Sequence, residues 1–357
     1  MSAKSFRTLL VVVVGLVLVT WGLELARDRG SADGGRLLVP GLADDAGTAN
    51  EITISVAAAD DVVLRRDDDR WTVASRDGYA ADVAQLRQLV LALSEASIVE
   101  DKTSDPARYA RLGVAEPGED GGGSRIVIAG EGFSHEVILG DSAQGDYRYA
   151  RVPGDATSYL VDRNPELPQS SGDWLLPDII DIGSDRVHRV TITHADGETI
   201  VIDKTARDLT DFTVLDVPPG RELSYASVGN GVAGALGKLT LDDVRARTDA
   251  EPTTTTEFLT WDGLRVTASV VGGDDDRWVT FDVEQYEAPP AAEPAGQEPE
   301  ADDAAADGPE PAAAPPPAAD AATLRATLTG WEYRLPDYKT GLLVRRWDEL
   351  LKAATGE

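Results

Sequence analysis

The chain has no cysteine in 357 residues. That removes disulfides, thiolate nucleophiles and cysteine-based zinc or iron–sulfur centres, and it leaves the redox compartment open. Positive charge is also scarce: 33 Lys and Arg stand against 63 Asp and Glu, a net charge of −30. Phosphate backbones are held by clustered cations, so nucleic acid is excluded as a partner. Electrostatic docking on anionic lipid is disfavoured for the same reason. Lysine is confined to positions 4, 102, 204, 238, 339 and 352. An acid excess with little lysine suits a salt-adapted or a high-GC bacterium, and composition does not choose between them. What the chain does have is 42% hydrophobic residues, enough for real cores, and a length that suits two domains of ~100–200 residues.

One long hydrophobic run is present. In "KSFRTLLVVVVGLVLVTWGLELARDRG" two cations, Lys4 and Arg7, precede an uncharged stretch at 8–23. As a helix that stretch spans about 24 Å at ~1.5 Å per residue, the short end for a membrane crossing. Trp21 stands where an interfacial aromatic anchors such a span. A cleaved signal peptide is the competing interpretation, but Glu24 and Leu25 spoil its small-residue cleavage site. The expectation is an uncleaved single-pass anchor at 1–27 with a short cytoplasmic tail, a linker at 28–50, and the bulk of the chain on the periplasmic face of a bacterial inner membrane.

The pentapeptide "DDDRW" occurs at 67–71 and at 274–278, but the flanks of the two copies disagree. An offset near 140 has wider support. "EITISVAAADDVVLRRDDDRWTV" parallels "RVTITHADGETIVIDKTARDLTDFTV", laying Ile52 over Val190 and Trp71 over Phe212. "LALSEASIVED" then parallels "GALGKLTLDDV". Two copies of one α+β unit are expected, at 51–183 and 184–357. Both "DDDRW" stretches lack the ligand spacing, Gly and terminal Glu of a calcium loop, so each reads as an acidic hairpin tip.

Within the first copy, "ITISV", "VVLRR" and "RWTVAS" predict a meander of short strands. Asp82 and Gln85 form a capping-box pattern ahead of a helix whose apolar stripe is Val83, Leu86, Leu89, Val90 and Leu93. "DPARYARLGV" predicts a second short helix, with Asp105 as cap, Pro106 in the first turn and Gly113 as the stop. The second copy carries an insertion at 287–322 holding nine acids and no base. Such a Pro/Ala-rich segment has too little apolar surface to offset the entropy of ordering, so it is expected to be disordered. Extended Pro-rich segments can also dock onto partners.

Chemistry-bearing patterns are few. "GNGVAG" at 229–234 matches the dinucleotide fingerprint in letters, but no buried strand runs into it, so glycines for close helix packing are the better explanation. "GALGKL" fails the phosphate-loop pattern at Val232 and Leu239. His188 and His194, six residues apart on a strand, would lie ~20 Å from each other and cannot share an ion; His135 stands alone. "GDSAQG" at 140–145 misses the nucleophile-elbow spacing. No catalytic, cofactor-binding or metal-ligating residues and no cofactor are therefore assigned, although carboxylates are too plentiful for an acidic couple to stand out.

Several stretches together resemble a known family. "KSFRTLL", "RWTVASRDGYAADVAQLRQLVLAL", "ARYARLGVAEP" and "VILGDSAQGDYRYARVPG" are similar to the domain-of-unknown-function 4340 family of bacterial membrane-anchored proteins. The resemblance covers most of residues 1–180, with a weaker echo towards the C-terminus. It implies an envelope protein often encoded with an ABC-type transporter permease and its gliding-type auxiliary subunit, and it supplies no catalytic residues. The expected role is a non-enzymatic accessory or scaffold of such a complex. The alternatives are a periplasmic binding module for an envelope glycan or lipid and, third, a hydrolase with an unrecognised acidic site.

Overall fold

The computed structural model describes residues 35–56, 60–118, 120–273, 276–288 and 321–353. The chain divides into two compact units. The first takes in residues up to Thr72 and Ala81–Trp174; the second takes in Val73–Ala80 and everything from Leu175 onward.

Among the described residues, the strands before Trp174 are β1 (Ala49–Ser55), β2 (Val62–Asp67), β3 (Arg70–Val73), β4 (Tyr79–Ala80), β5 (Ile98–Asp101), β6 (Ser124–Gly130), β7 (Phe133–Ser142), β8 (Arg148–Arg151) and β9 (Ser158–Val161). The first unit's sheet runs β3-β2-β1-β6-β7-β8-β9-β5. At its centre Ile52 lies between Leu64 of β2 and Ile128 of β6 in antiparallel register. Ile52 and Ile54 are both buried, as the two-residue period of a strand requires for one covered face.

Among the described residues two α-helices belong to this unit, α1 (Leu42–Asp45) and α2 (Val83–Glu95), and they pack together. Asp82 caps α2 by accepting from the Ala84 and Gln85 amides at 2.9 and 3.1 Å. The return arm of the box is not made: the Asp82 backbone N–H donates to the Trp174 carbonyl at 2.8 Å, and the Gln85 side-chain amide donates to the Asp173 carbonyl. Residues Pro106–Leu112 form a 3₁₀ helix. Asp105 accepts from Ala107 N at 3.1 Å at its start, and Gly113 ends it at φ 65°.

The second unit contains β10 (Asp178–Ile180), β11 (Val187–His194), β12 (Thr199–Asp203), β13 (Thr213–Val214), β14 (Leu239–Thr240), β15 (Asp243–Ala246), β16 (Thr254–Thr260), β17 (Leu264–Val271), β18 (Trp278–Gln285) and β19 (Trp331–Arg334). Its main sheet runs β13-β12-β11-β16-β17-β18-β19-β15, repeating the order of the eight strands from β3 to β5 in the first sheet. Val190 lies between Ile202 and Phe258 where Ile52 lies between Leu64 and Ile128. The register also shifts at the same place in both sheets, between Ala49 and Glu51 in one and between Val187 and Arg189 in the other. Among the described residues the unit also holds four short α-helices: α3 (Val228–Ala233), α4 (Ala321–Leu328), α5 (Asp337–Leu343) and α6 (Trp347–Leu350).

The segment Val73–Ala80 comes from the first repeat's sequence and packs within the second unit. Arg76 pairs with Asp243 at 2.6 Å, and Asp77 accepts from the Ala246 amide at 2.9 Å. Tyr79 stands edge-on to Trp331 and Tyr333, with ring centroids 5.0 and 6.1 Å away. Burial pushes the Tyr79 hydroxyl pKa up to about 12.

The expected architecture of α+β units behind a transmembrane helix needs correction. The protein is strand-rich, built on two large sheets. Where α2 has 13 residues, its counterpart α3 has only 6, because "GNGVAG" sustains a single short turn of helix against the sheet. No helix among the described residues is long and apolar enough to cross a membrane, and the anchor expected at 1–27 lies outside the described residues. The disorder expected at 287–322 also falls outside them, apart from its first two and last two positions.

Tyr79→Ala should cost about 3 kcal/mol, the usual loss for emptying a buried aromatic site. Hydrogen exchange should rise in β15 and β19, but not in β6 and β7. Faster exchange confined to the first sheet would contradict the assignment of Val73–Ala80.

Candidate functional site

The apolar stripe of α2 is wider than the surface that covers it. Leu86, Leu89 and Leu93 are buried, Val83 and Val90 are only half-buried, and Leu91 is 57% exposed. With Ala49 and Ile52 of β1, Trp71 of β3 and the turn around Ala46, the side chains of Val83, Leu86, Val90 and Leu91 line a groove of about 850 Å³. Its lining is mostly apolar, and its volume falls within the usual range for ligand pockets. Arg66, Asp69, Arg87 and Glu95 stand at the rim. Arg66 is fixed there: its Nε donates to the Asp68 carbonyl and its Nη1 to the Gly47 carbonyl, both at 2.9 Å. The first "DDDRW" stretch is thus the hairpin tip that presents Trp71 to the groove, with Asp68 at φ 53°.

The second copy does something else. Trp278 donates its indole N–H to Asp276 at 2.9 Å, and Arg334 pairs with the same carboxylate. These contacts, the indole's first, hold the Asp276 carboxyl below its ordinary pKa. The guanidinium groups of Arg245 and Arg334 lie 4.1 and 5.0 Å from the Trp278 ring centroid, within cation–π reach. Asp69 and Trp71 of one pentapeptide therefore line a groove in one unit, while Asp276 and Trp278 of the other join an ion-pair cluster.

The remaining chemistry-bearing residues are separately engaged. His135 contacts Asp45 at 2.8 Å. His188 contacts the Tyr286 hydroxyl at 2.7 Å, and burial lowers its pKa. His194 is held between Thr254 Oγ1 and the Arg345 carbonyl. Among the described residues no three His, Asp or Glu side chains are grouped to hold a metal ion. Gly229 lets α3 approach β12, since a Cβ there would stand 2.9 Å from Ile202 Cγ2. Residues 140–145 span the end of β7 and the loop after it.

Glu332 is fully buried. It accepts from Arg245 Nε at 2.7 Å, from Thr248 N at 2.8 Å and from Thr248 Oγ1 at 2.6 Å. Burial alone would raise its pKa, but the Thr248 contacts and Arg245 outweigh that and hold it below the ordinary glutamate value.

A model of the family described as "Domain of unknown function (DUF4340)" matches residues 71–257, more than half of the chain. The protein belongs to that family. The match begins at Trp71 and ends within β16, so it takes in α2, the Val73–Ala80 segment and the start of the second sheet. No curated protein and no solved structure matches the chain.

Two outcomes are expected. Leu91→Asp should leave stability within about 0.5 kcal/mol, as for other exposed positions, yet weaken binding of an anilinonaphthalene sulfonate dye, followed by its fluorescence. Equal dye binding by both proteins would place the dye elsewhere. For Glu332, the depressed folded pKa means the carboxylate lends stability above its unfolded pKa of about 4.3, lost as pH falls through the folded value. Glu332→Gln should therefore lower stability at neutral pH and flatten the decline on acidification, measured by urea unfolding across the acid range.

Proposed function

We propose that the protein is a non-enzymatic accessory or scaffold component of a bacterial envelope complex, with the groove of the first unit as the seat for an apolar segment of its partner. The groove carries this reading: an apolar surface beside an exposed Leu91 is the kind of feature that marks interaction sites on otherwise charged proteins. The histidines and the buried Glu332 are committed to structural contacts, which also favours binding over turnover. An ABC-type transporter permease, or its auxiliary subunit, is the partner suggested by the resemblance of the motif stretches to transporter-associated envelope proteins. The periplasmic face is where that partner would be met. A second reading, a binding module for an envelope lipid, draws on the same groove, whose apolar lining suits an acyl chain better than a glycan.

The test is a photo-activatable side chain at position 91 of the full-length chain, irradiated in intact cells. The scaffold reading expects an adduct with a transporter permease or its auxiliary subunit, absent when the probe is placed at Glu284, an exposed position on β18. An adduct with lipid alone would overturn it in favour of lipid binding. With neither adduct, both readings fall.

A further inference from the structure

A second pocket of the first unit presents a charge that the fold leaves unpaired. Arg148, at the start of β8, is half-buried. Its Nε donates to Asn164 Oδ1 at 2.7 Å and its Nη2 to Ser142 Oγ at 3.3 Å. Ser142 itself donates to Asn164 Oδ1 at 3.1 Å. Both partners are neutral, and no carboxylate among the described residues lies within ion-pair distance of this guanidinium. Its neighbours are treated differently: Arg125 and Arg151 both pair with Glu116, and Arg163 pairs with Glu95. Burial lowers the Arg148 pKa, an effect that Asp141 partly offsets.

Arg148 and Asp141 both line a pocket of about 330 Å³. Much of its wall is bare main chain. A Cβ on Gly123 would stand 2.4 Å from the Gly113 carbonyl oxygen, and one on Gly140 would stand 2.3 Å from that of Leu112. Crossing backbones are therefore stacked too tightly for side chains, and the pocket stays narrow and polar. A guanidinium fork matches a carboxylate with two parallel hydrogen bonds. A dianionic phosphate would face Asp141 with more repulsion than a carboxylate would. Asp141, exposed and not ion-paired with Arg148, is free to meet a cationic group on the same ligand.

We propose that this pocket binds a small zwitterion of the α-amino acid class, its carboxylate on Arg148 and its ammonium group facing Asp141. The site is separate from the groove and stands or falls independently of the scaffold reading. The volume admits an amino acid with a modest side chain and excludes a folded partner.

The test is calorimetric titration of the full-length protein with each of the common α-amino acids, and with acetate and methylammonium as single-charge probes. At least one amino acid should bind with Kd below about 1 mM, and tighter than either single-charge probe. Arg148→Gln should weaken that binding at least tenfold. Asp141→Asn, at an exposed position where the fold is not at risk, should weaken the amino acid but not acetate. Binding of no amino acid, binding indifferent to both substitutions, or acetate binding as tightly as the best amino acid would each overturn the proposal.

Discussion

Each unit depends on one strand that is paired on both sides and covered on one face. β1 buries Ile52 and Ile54, and β11 buries Val190 and Ile192, each between two antiparallel neighbours. A slip of one residue would turn every one of these side chains to the opposite face, so the central strand sets the register for the strands added outward from it. The register shift near the start of β1 and of β11 occurs where the same strand meets β6 or β16. A bulge bends and twists the strand that carries it, and having it at the same point twice gives the two sheets the same starting geometry.

The charges on these strands show why the duplication is faint at the level of letters. Glu51 on β1 pairs across with Arg65 on β2. At the equivalent place Arg189 on β11 pairs with Asp203 on β12. The two signs are exchanged while the cross-strand pair is kept. Such a pair is worth roughly 0.2–1 kcal/mol whichever strand supplies the cation, so the physics constrains the pair and leaves each residue free. Apolar positions have no such freedom, which is why the alignment of "EITIS" with "RVTIT" could be read and the charges around it could not.

Local chemistry was legible where its cause is local. The Asp82 cap, the Asp105 cap and the Gly113 stop are settled within a few residues of chain. The balance of helix and sheet was not, because "GNGVAG" has the composition of a packing surface and forms only a short helix. The docking of Val73–Ala80 in the second unit was also out of reach: Tyr79 looks like any strand aromatic until Trp331 and Tyr333, more than two hundred residues away, are brought beside it. The groove was hidden for a related reason. Val83 and Val90 belong to the same helical stripe as Leu86, Leu89 and Leu93, and periodicity reports a stripe without reporting how much of it is covered.

A chain with so large an acid excess can meet most of its arginines with carboxylates, and it does so across strands, along turns and around Trp278. Pairing is thus the background, and arginines held by neutral acceptors are fewer: Arg221 and Arg325 donate to main-chain carbonyls, and Arg148 to side chains beside a pocket. "YRYARV" contains one of each kind. Arg151 donates to the Val114 carbonyl at 3.0 Å and pairs with Glu116 at 2.7 Å, while Arg148, three residues earlier, is fixed by an amide oxygen and a hydroxyl. Both side chains are anchored, so structural need alone does not separate them. What separates them is that one guanidinium has its counter-charge supplied by the fold and the other has a pocket in that place.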